Sequence, residues 1–284
     1  METSAKRKRP GESPRCTIYS LRGSDVCLPA SNKAGELRIV VISDTHGEHR
    51  KLSDKIPDGD ILLHAGDFST KLRARDVDRV LADFNDFMGS LPHQHKIVIC
   101  GNHEIALNNY TPAEIQRRLR NVTYLQDSST HICGLHIYGT PWTNRLAWQM
   151  SSIDVRLEGC CTRSKSYTTC IHSCNMGFSK RSTELDKIWA QIPSTVDILL
   201  THMPPYNMLD LAYEPNSIGT WGLRRRVEEI GPAVHAFGHV HDSHGCQVHG
   251  ATLFVNAAQA LKEQPIFFNL IGGQASSELL KEVK

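Results

Sequence analysis

"LRIVVISDTHG" (37–47) starts as a buried β-strand and then stops. Leu37 and the run Ile39 to Ile42 are apolar and mostly β-branched, as a strand inside a sheet requires. Ser43, Asp44, Thr45, His46 and Gly47 follow at once. An acid and a histidine two residues apart, where a buried strand meets a loop, either cap the next helix or hold a metal ion.

Working outward, the same rhythm recurs. "ILLHAG" (61–66) and "KIVICG" (96–101) read as further buried strands. Between them, residues 73–91 place Val77, Val80, Leu81, Phe84, Phe87, Met88 and Leu91 on one face of an amphipathic helix. Strand, helix and strand in alternation predict an α/β sheet covered by helices. Beyond it, "HICGLHIYGTPW" (131–142) reads as a strand pair or bent strand, 182–192 as a helix, and "VDILLTH" (196–202) as a buried strand. Residues 220–232 form a helix stopped by Gly231-Pro232. "AVHAFG", "GCQVHG", "ATLFVNA" and "PIFFNLIG" close the chain with strands, and there is no internal repeat of fixed period.

Recurrence decides the opening question. Asp67 follows "ILLHAG", Asn102 and His103 follow "KIVICG", His202 ends "DILLTH", and His239 and His241 follow "VHAFG". Each apolar run of strand length ends in oxygen or imidazole donors. In α/β sheets, ligands gather outside the carboxyl ends of the strands. Any one of these residues alone reads better as a cap or turn; five strand ends of one kind make metal ligation the reading. The inventory is two carboxylates, one amide oxygen and four histidines besides His103. Such oxygen and imidazole donors suit Mn, Fe, Zn or Co, with Mn favoured, rather than Ca or thiolate-bound metals. They suffice for two ions sharing a carboxylate, an arrangement with ions about 3.5–4 Å apart that attacks phosphate esters. The glycines before Asp67, Asn102 and His239 are expected to let the backbone turn sharply. His64 and Asn256 are candidates to support a ligand or meet substrate, each equally readable as structural; Glu104 and Thr201 adjoin ligands with no assignable role.

The bulk properties set limits. The 284 residues suit one large domain or two small ones, and a formal net charge of +2 does not point to a nucleic-acid partner. Residues 1–34 read as a flexible basic leader before a folded domain over 35–284. No secretory signal or membrane-length apolar run is present, so the expected location is cytoplasmic, with mostly free thiols. Lys6-Arg7-Lys8-Arg9-Pro10 has the make-up of a nuclear address as well as of a solvated tail. Residues 150–173 break the pattern and read as an insertion. Cys160, Cys170, His172 and Cys174 there lack the paired spacing of a structural zinc site. Trp142, Trp148 and Trp221 suit base stacking or, more simply, core packing, and Arg224-Arg225-Arg226 reads as a solvated helix face.

The series DTH (44–46), GD (66–67), GNHE (101–104), TH (201–202) and GHVH (238–241) resembles the calcineurin-like metallophosphoesterases over about residues 37–272. The stretches "ISDTHGEH", "HAGDFS", "YGTPW" and "DILLTHMPP" look more narrowly like the animal metallophosphoesterase-domain proteins, a group of class III-type phosphodiesterases. The resemblance implies a four-layer αββα sandwich of two mixed sheets flanked by helices. It implies that Asp44, His46 and His241 hold one divalent ion and Asn102, His202 and His239 a second, with Asp67 bridging. His103 would stand just outside, facing the leaving group. The implied activity is hydrolysis of a small phosphodiester or nucleotide, with cAMP and cGMP among the candidates. The alternative is a low-activity scaffold or adaptor. No membrane or stable nucleic-acid partner is expected, and the oligomeric state is left open.

Overall fold

The computed structural model describes residues 15–19, 36–70, 72–144, 176–212, 216–258 and 263–271. In chain order, the first strands are β1 (Arg15–Tyr19), β2 (Glu36–Ile42), β3 (Ile61–His64), β4 (His95–Val98), β5 (Thr123–Tyr124), β6 (Ser128–Ile132) and β7 (Leu135–Thr140). After the short β8 (Thr143–Asn144) and β9 (Ser179–Lys180) come β10 (Ile198–Thr201), β11 (Leu211–Ala212) and β12 (Asn216–Ser217). The last are β13 (Val234–Phe237), β14 (Gly245–His249), β15 (Thr252–Asn256) and β16 (Ile266–Ile271). The helices are α1 (Val77–Ser90), α2 (Pro112–Arg118), α3 (Ser182–Trp189) and α4 (Trp221–Ile230).

Two six-stranded mixed sheets, ordered β1-β16-β2-β3-β4-β5 and β14-β15-β13-β10-β7-β6, lie face to face. The period of two along each strand builds three apolar layers. Ile39, Val41, Ile61 and Leu63 meet Ile137, Ile198, Leu200 and Val234 between the sheets. On the outer face of the first sheet, Val40, Ile42 and Leu62 pack against Leu81, Phe84 and Phe87 of α1. On the outer face of the second, Leu199, Phe237 and Phe254 pack against Leu185 and Trp189 of α3 and Leu223 and Val227 of α4. Complete burial of each such side chain contributes about 1.5–3 kcal/mol. Helix, sheet, sheet and helix make the expected four-layer αββα sandwich.

The local expectations hold at most elements, with instructive exceptions. "HICGLHIYGTPW" resolves into β6 and β7, joined through Cys133 and Gly134, both at positive φ, as a tight hairpin turn demands. α4 stops at Gly231 in the left-handed conformation. β1 forms inside the expected flexible leader and pairs antiparallel with β16. Arg224 and Arg226 are not a solvated face. Arg224 is buried, bonding Glu228 and His249 and lying over Phe254, and Arg226 bonds Glu229 and the Ile192 carbonyl. The 150–173 segment, its cysteines and Trp148 lie outside the described residues, as do 1–14 and 20–35. Among the described residues, no helix is long and apolar enough to cross a membrane.

Candidate metal centre

β2, β3 and β4 run parallel in the first sheet, and β10 and β13 run parallel in the second. Within each sheet the predicted strand ends therefore lie at one end, and contacts of His239 with Asp44 and of His202 with Ala65 bring the two sets together. The loops beyond β2 and β3 stay paired: Asp44 N–H donates to the Gly66 carbonyl at 3.0 Å and His46 N–H to the Asp67 carbonyl at 3.0 Å. The two sheets are then tied across the site. His239 N–H donates to Asp44 Oδ2 at 3.0 Å, and the His202 ring meets the Ala65 carbonyl through Nδ1 at 2.7 Å.

Asp44, His46, Asp67 and His239 all have positive φ, between 45° and 70°. Non-glycine residues in that region store backbone strain, which gathers at functional sites. The adjoining glycines are needed mainly for space. A Cβ on Gly66, itself at φ 99°, would come within 2.7 Å of the Cys100 carbonyl and His202 Nδ1. One on Gly101 would strike Asp67, and one on Gly238 would strike Ser43 and Asp44. The expected sharp turn applies to Gly66; Gly101 and Gly238 are there because side chains press against their backbone.

The side chains converge in two groups that touch. Asp44, His46 and His241 bring one donor atom each within 4.8 Å of one another, and so do Asp67, His202 and His239. His241 Nε2 lies 3.2 Å from Asp44 Oδ1 and 3.4 Å from His46 Nε2. His202 Nε2 lies 3.3 Å from Asp67 Oδ2, 3.0 Å from Asn102 Oδ1 and 3.2 Å from His239 Nδ1. The Ala65 carbonyl accepts from His202 Nδ1–H, which fixes the ring with Nε2 facing the other donors, as for a metal-binding histidine. His103 also lies within reach of His46 and Asp67. Its backbone N–H donates to Asp67 Oδ1 at 2.7 Å, its Nε2 is 3.9 Å from Asp67 Oδ2, and its half-buried ring leans on His46.

Electrostatics reinforce the grouping. Burial alone would raise Asp44 and Asp67, yet the neighbouring histidines, His241 for Asp44 and His202 for Asp67, hold both carboxyls well below their ordinary range. Burial alone would lower His202, but the Asp67 carboxylate pushes it up to about 9. Burial holds His239 down at about 3 and also lowers His103. Two buried carboxylates among clustered imidazoles are a costly arrangement without compensating cations. The donor set fits divalent ions.

The supporting residues divide differently from expectation. His64 joins two ligand loops: its Nδ1 accepts from Gly66 N–H at 3.3 Å and its Nε2 donates to Thr45 Oγ1 at 3.1 Å. Burial lowers it to about 3, so it stays neutral. Asn256 is buried, with its amide spent on the Leu209 and Val240 carbonyls at 2.9 Å each and its oxygen on Ala258 N–H. It shapes the loop between His239 and His241. Glu104, given no role by sequence, is fully buried and accepts from the N–H groups of Asp67, Ser69 and Gly101 and from Ser69 Oγ at 2.7–3.0 Å. Burial, with the Asp67 charge, pushes it up to about 8. Thr201 donates to the Met203 carbonyl and meets His235. Trp142 packs between the outer layers and bonds Asp127, whereas Trp221 is 67% exposed and stacks on Tyr206.

Known proteins match this chain along most of its length. The family described as calcineurin-like phosphoesterase matches residues 37–243. The "UPF0046 protein C25E10.12" of Caenorhabditis elegans is 35% identical over 78% of this chain and 75% of its own. The human "Metallophosphoesterase domain-containing protein 1" is 31% identical over 81% of this chain and 68% of its own. A solved structure covering 82% of this chain and 94% of its own aligns with a TM-score of 0.56 at 15% identity, a likeness of fold. With the fold, the strand-end residues and these matches in agreement, the chain belongs to the calcineurin-like phosphoesterases, a family of metal-dependent phosphoric ester hydrolases.

Proposed function

We propose that this protein is a dinuclear-metal phosphodiesterase acting on a small phosphodiester or nucleotide. The observation that carries this reading is the pair of touching donor groups, Asp44–His46–His241 and Asp67–His202–His239, with Asn102 Oδ1 beside the second. Asp67 faces both, since its carboxylate also reaches the His103 and His46 side. Asp44, His46 and His241 would hold one ion and Asn102, His202 and His239 the other, with Asp67 between them. Bound there, two divalent ions, Mn favoured, supply a water of lowered pKa and positive charge for the phosphoryl oxygens.

The chain's own residues do the rest. His202 is oriented by the Ala65 carbonyl and His46 by the Ser69 carbonyl at 3.5 Å, so both rings are set before substrate arrives. His103, half-buried where its ring meets His46 and Asp67, would give a proton to the departing alkoxide. Cyclic nucleotides, cAMP and cGMP, are among the substrates to try. The first test compares hydrolysis of bis-p-nitrophenyl phosphate and p-nitrophenyl phosphate in Mn²⁺ and in chelator. The expected result is diester turnover that chelator abolishes. A folded, metal-loaded protein that turns over neither ester would instead be a scaffold retaining the family fold.

A further inference from the structure

Beside the ligand loops lies a cleft of about 430 Å³ whose lining includes Thr70, Arg73, Arg75, Asp76, Arg79 and Asp83. That volume is in the range of small-molecule sites. Its inner wall also includes Gly47 and Ser69, which follow the candidate ligands His46 and Asp67 within two residues. The loops are locked together: Thr70 Oγ1 donates to the His46 carbonyl at 2.5 Å, and Leu72 N–H donates to the His103 carbonyl at 2.9 Å. The outer wall is the approach to α1 and its first turns.

The charges in the cleft do not cancel. Asp83 is already held by Arg50 at 2.7 Å and His49 at 3.0 Å. Asp76 is shared by Arg79 at 3.2 Å and Arg75 at 3.7 Å. Arg73, Arg75 and Arg79 thus face one carboxylate not committed to Arg50, and all three are exposed. A planar guanidinium matches the oxygens of a phosphate in pairs, so a cationic cleft of this size suits an anionic organic group.

We infer that this cleft is the subsite for one arm of the phosphodiester substrate, and that this arm carries a second phosphate. The inference rests on the phosphodiesterase reading and narrows it. Linear diesters with a phosphorylated arm rank ahead of cyclic mononucleotides, whose single phosphate is consumed at the metal centre.

The test uses linear dinucleotides with and without a 5′-phosphate, the full-length chain, and the double variant Arg73→Gln/Arg79→Gln. In Mn²⁺ at low salt, the 5′-phosphate is expected to raise kcat/KM about fivefold to tenfold. The advantage should fall to near unity in the double variant and in high salt. Calorimetry in chelator adds a readout independent of turnover: the phosphorylated dinucleotide should bind the unaltered chain more tightly than the variant. Equal kcat/KM for both dinucleotides, or a preference that survives in the variant, would overturn the inference and leave the phosphodiesterase reading standing. Arginine-dependent binding in calorimetry with no cleavage of any diester would uphold the cleft and overturn the phosphodiesterase reading.

Discussion

At Glu104, one carboxylate gathers the N–H groups of Asp67, Ser69 and Gly101 behind two ligand loops. Every partner is a donor, and both side-chain oxygens serve as acceptors. Glu104→Gln would turn an NH₂ group toward backbone donors and leave buried N–H groups unpaired, at about 1–3 kcal/mol each. The expected outcome is a lower thermal midpoint and metal affinity reduced about 10- to 100-fold, read by scanning calorimetry and metal titration. His103→Ala should behave oppositely, lowering kcat roughly 10²–10⁴-fold while metal content stays unchanged. If His103→Ala also emptied the site, its role as proton donor rather than metal ligand would be wrong. Asp44, His46, Asp67, Asn102, His103, His202, His239 and His241 stand out in sequence as candidates because each lies at or just beyond the end of an apolar run of strand length. Glu104 was not, because its function exists only once backbone donors from distant segments meet on it.

At the scale of elements, the apolar periodicities of β2, β3, α1, α3, β10 and α4 were readable because each is fixed by local spacing. α2 is short and carries only a start signal, with Thr111 and Glu114 forming a capping box around Pro112. β1 was hidden as five residues inside a polar leader. The partition of strands between two sheets could not be read locally, because Ile39 and Ile198 carry the same signal and meet only in the assembled core. The loop after β13 offers a direct trial of how elements aim the ligands. Gly238→Ala would drive a methyl group into Asp44 and Ser43, so the Asp44 side should lose its ion while the sandwich stays folded. Far-UV circular dichroism like that of the unaltered chain, with metal stoichiometry reduced, is the expected pair of results.

Over the whole molecule, buried neutral histidines couple stability to pH. His235 is fully buried and held at about 3 by burial, against an ordinary 6.5. Its Nε2 donates to Thr201, and its Nδ1 has no partner among the described residues, so protonation would bury an unpaired N–H. A depressed pKa means the unfolded chain binds the extra proton between about pH 6.5 and 3. Stability from His235 is therefore complete above pH 6.5 and lost as pH falls toward 3, at up to about 1.4 kcal/mol per pH unit. Denaturant melts from pH 7 to 5 should show this loss, and His235→Phe should flatten the slope. An unchanged slope in that variant would mean His235 is not a source of the acid sensitivity.

The proposed dinuclear chemistry requires both donor groups to work together, each on its own ion. The most direct measurement adds Mn²⁺ stepwise to chelator-stripped protein and follows bis-p-nitrophenyl phosphate hydrolysis against equivalents added. A rate that climbs to a plateau at two ions per chain is the predicted result. A plateau at one ion, or no turnover with two bound, would contradict it.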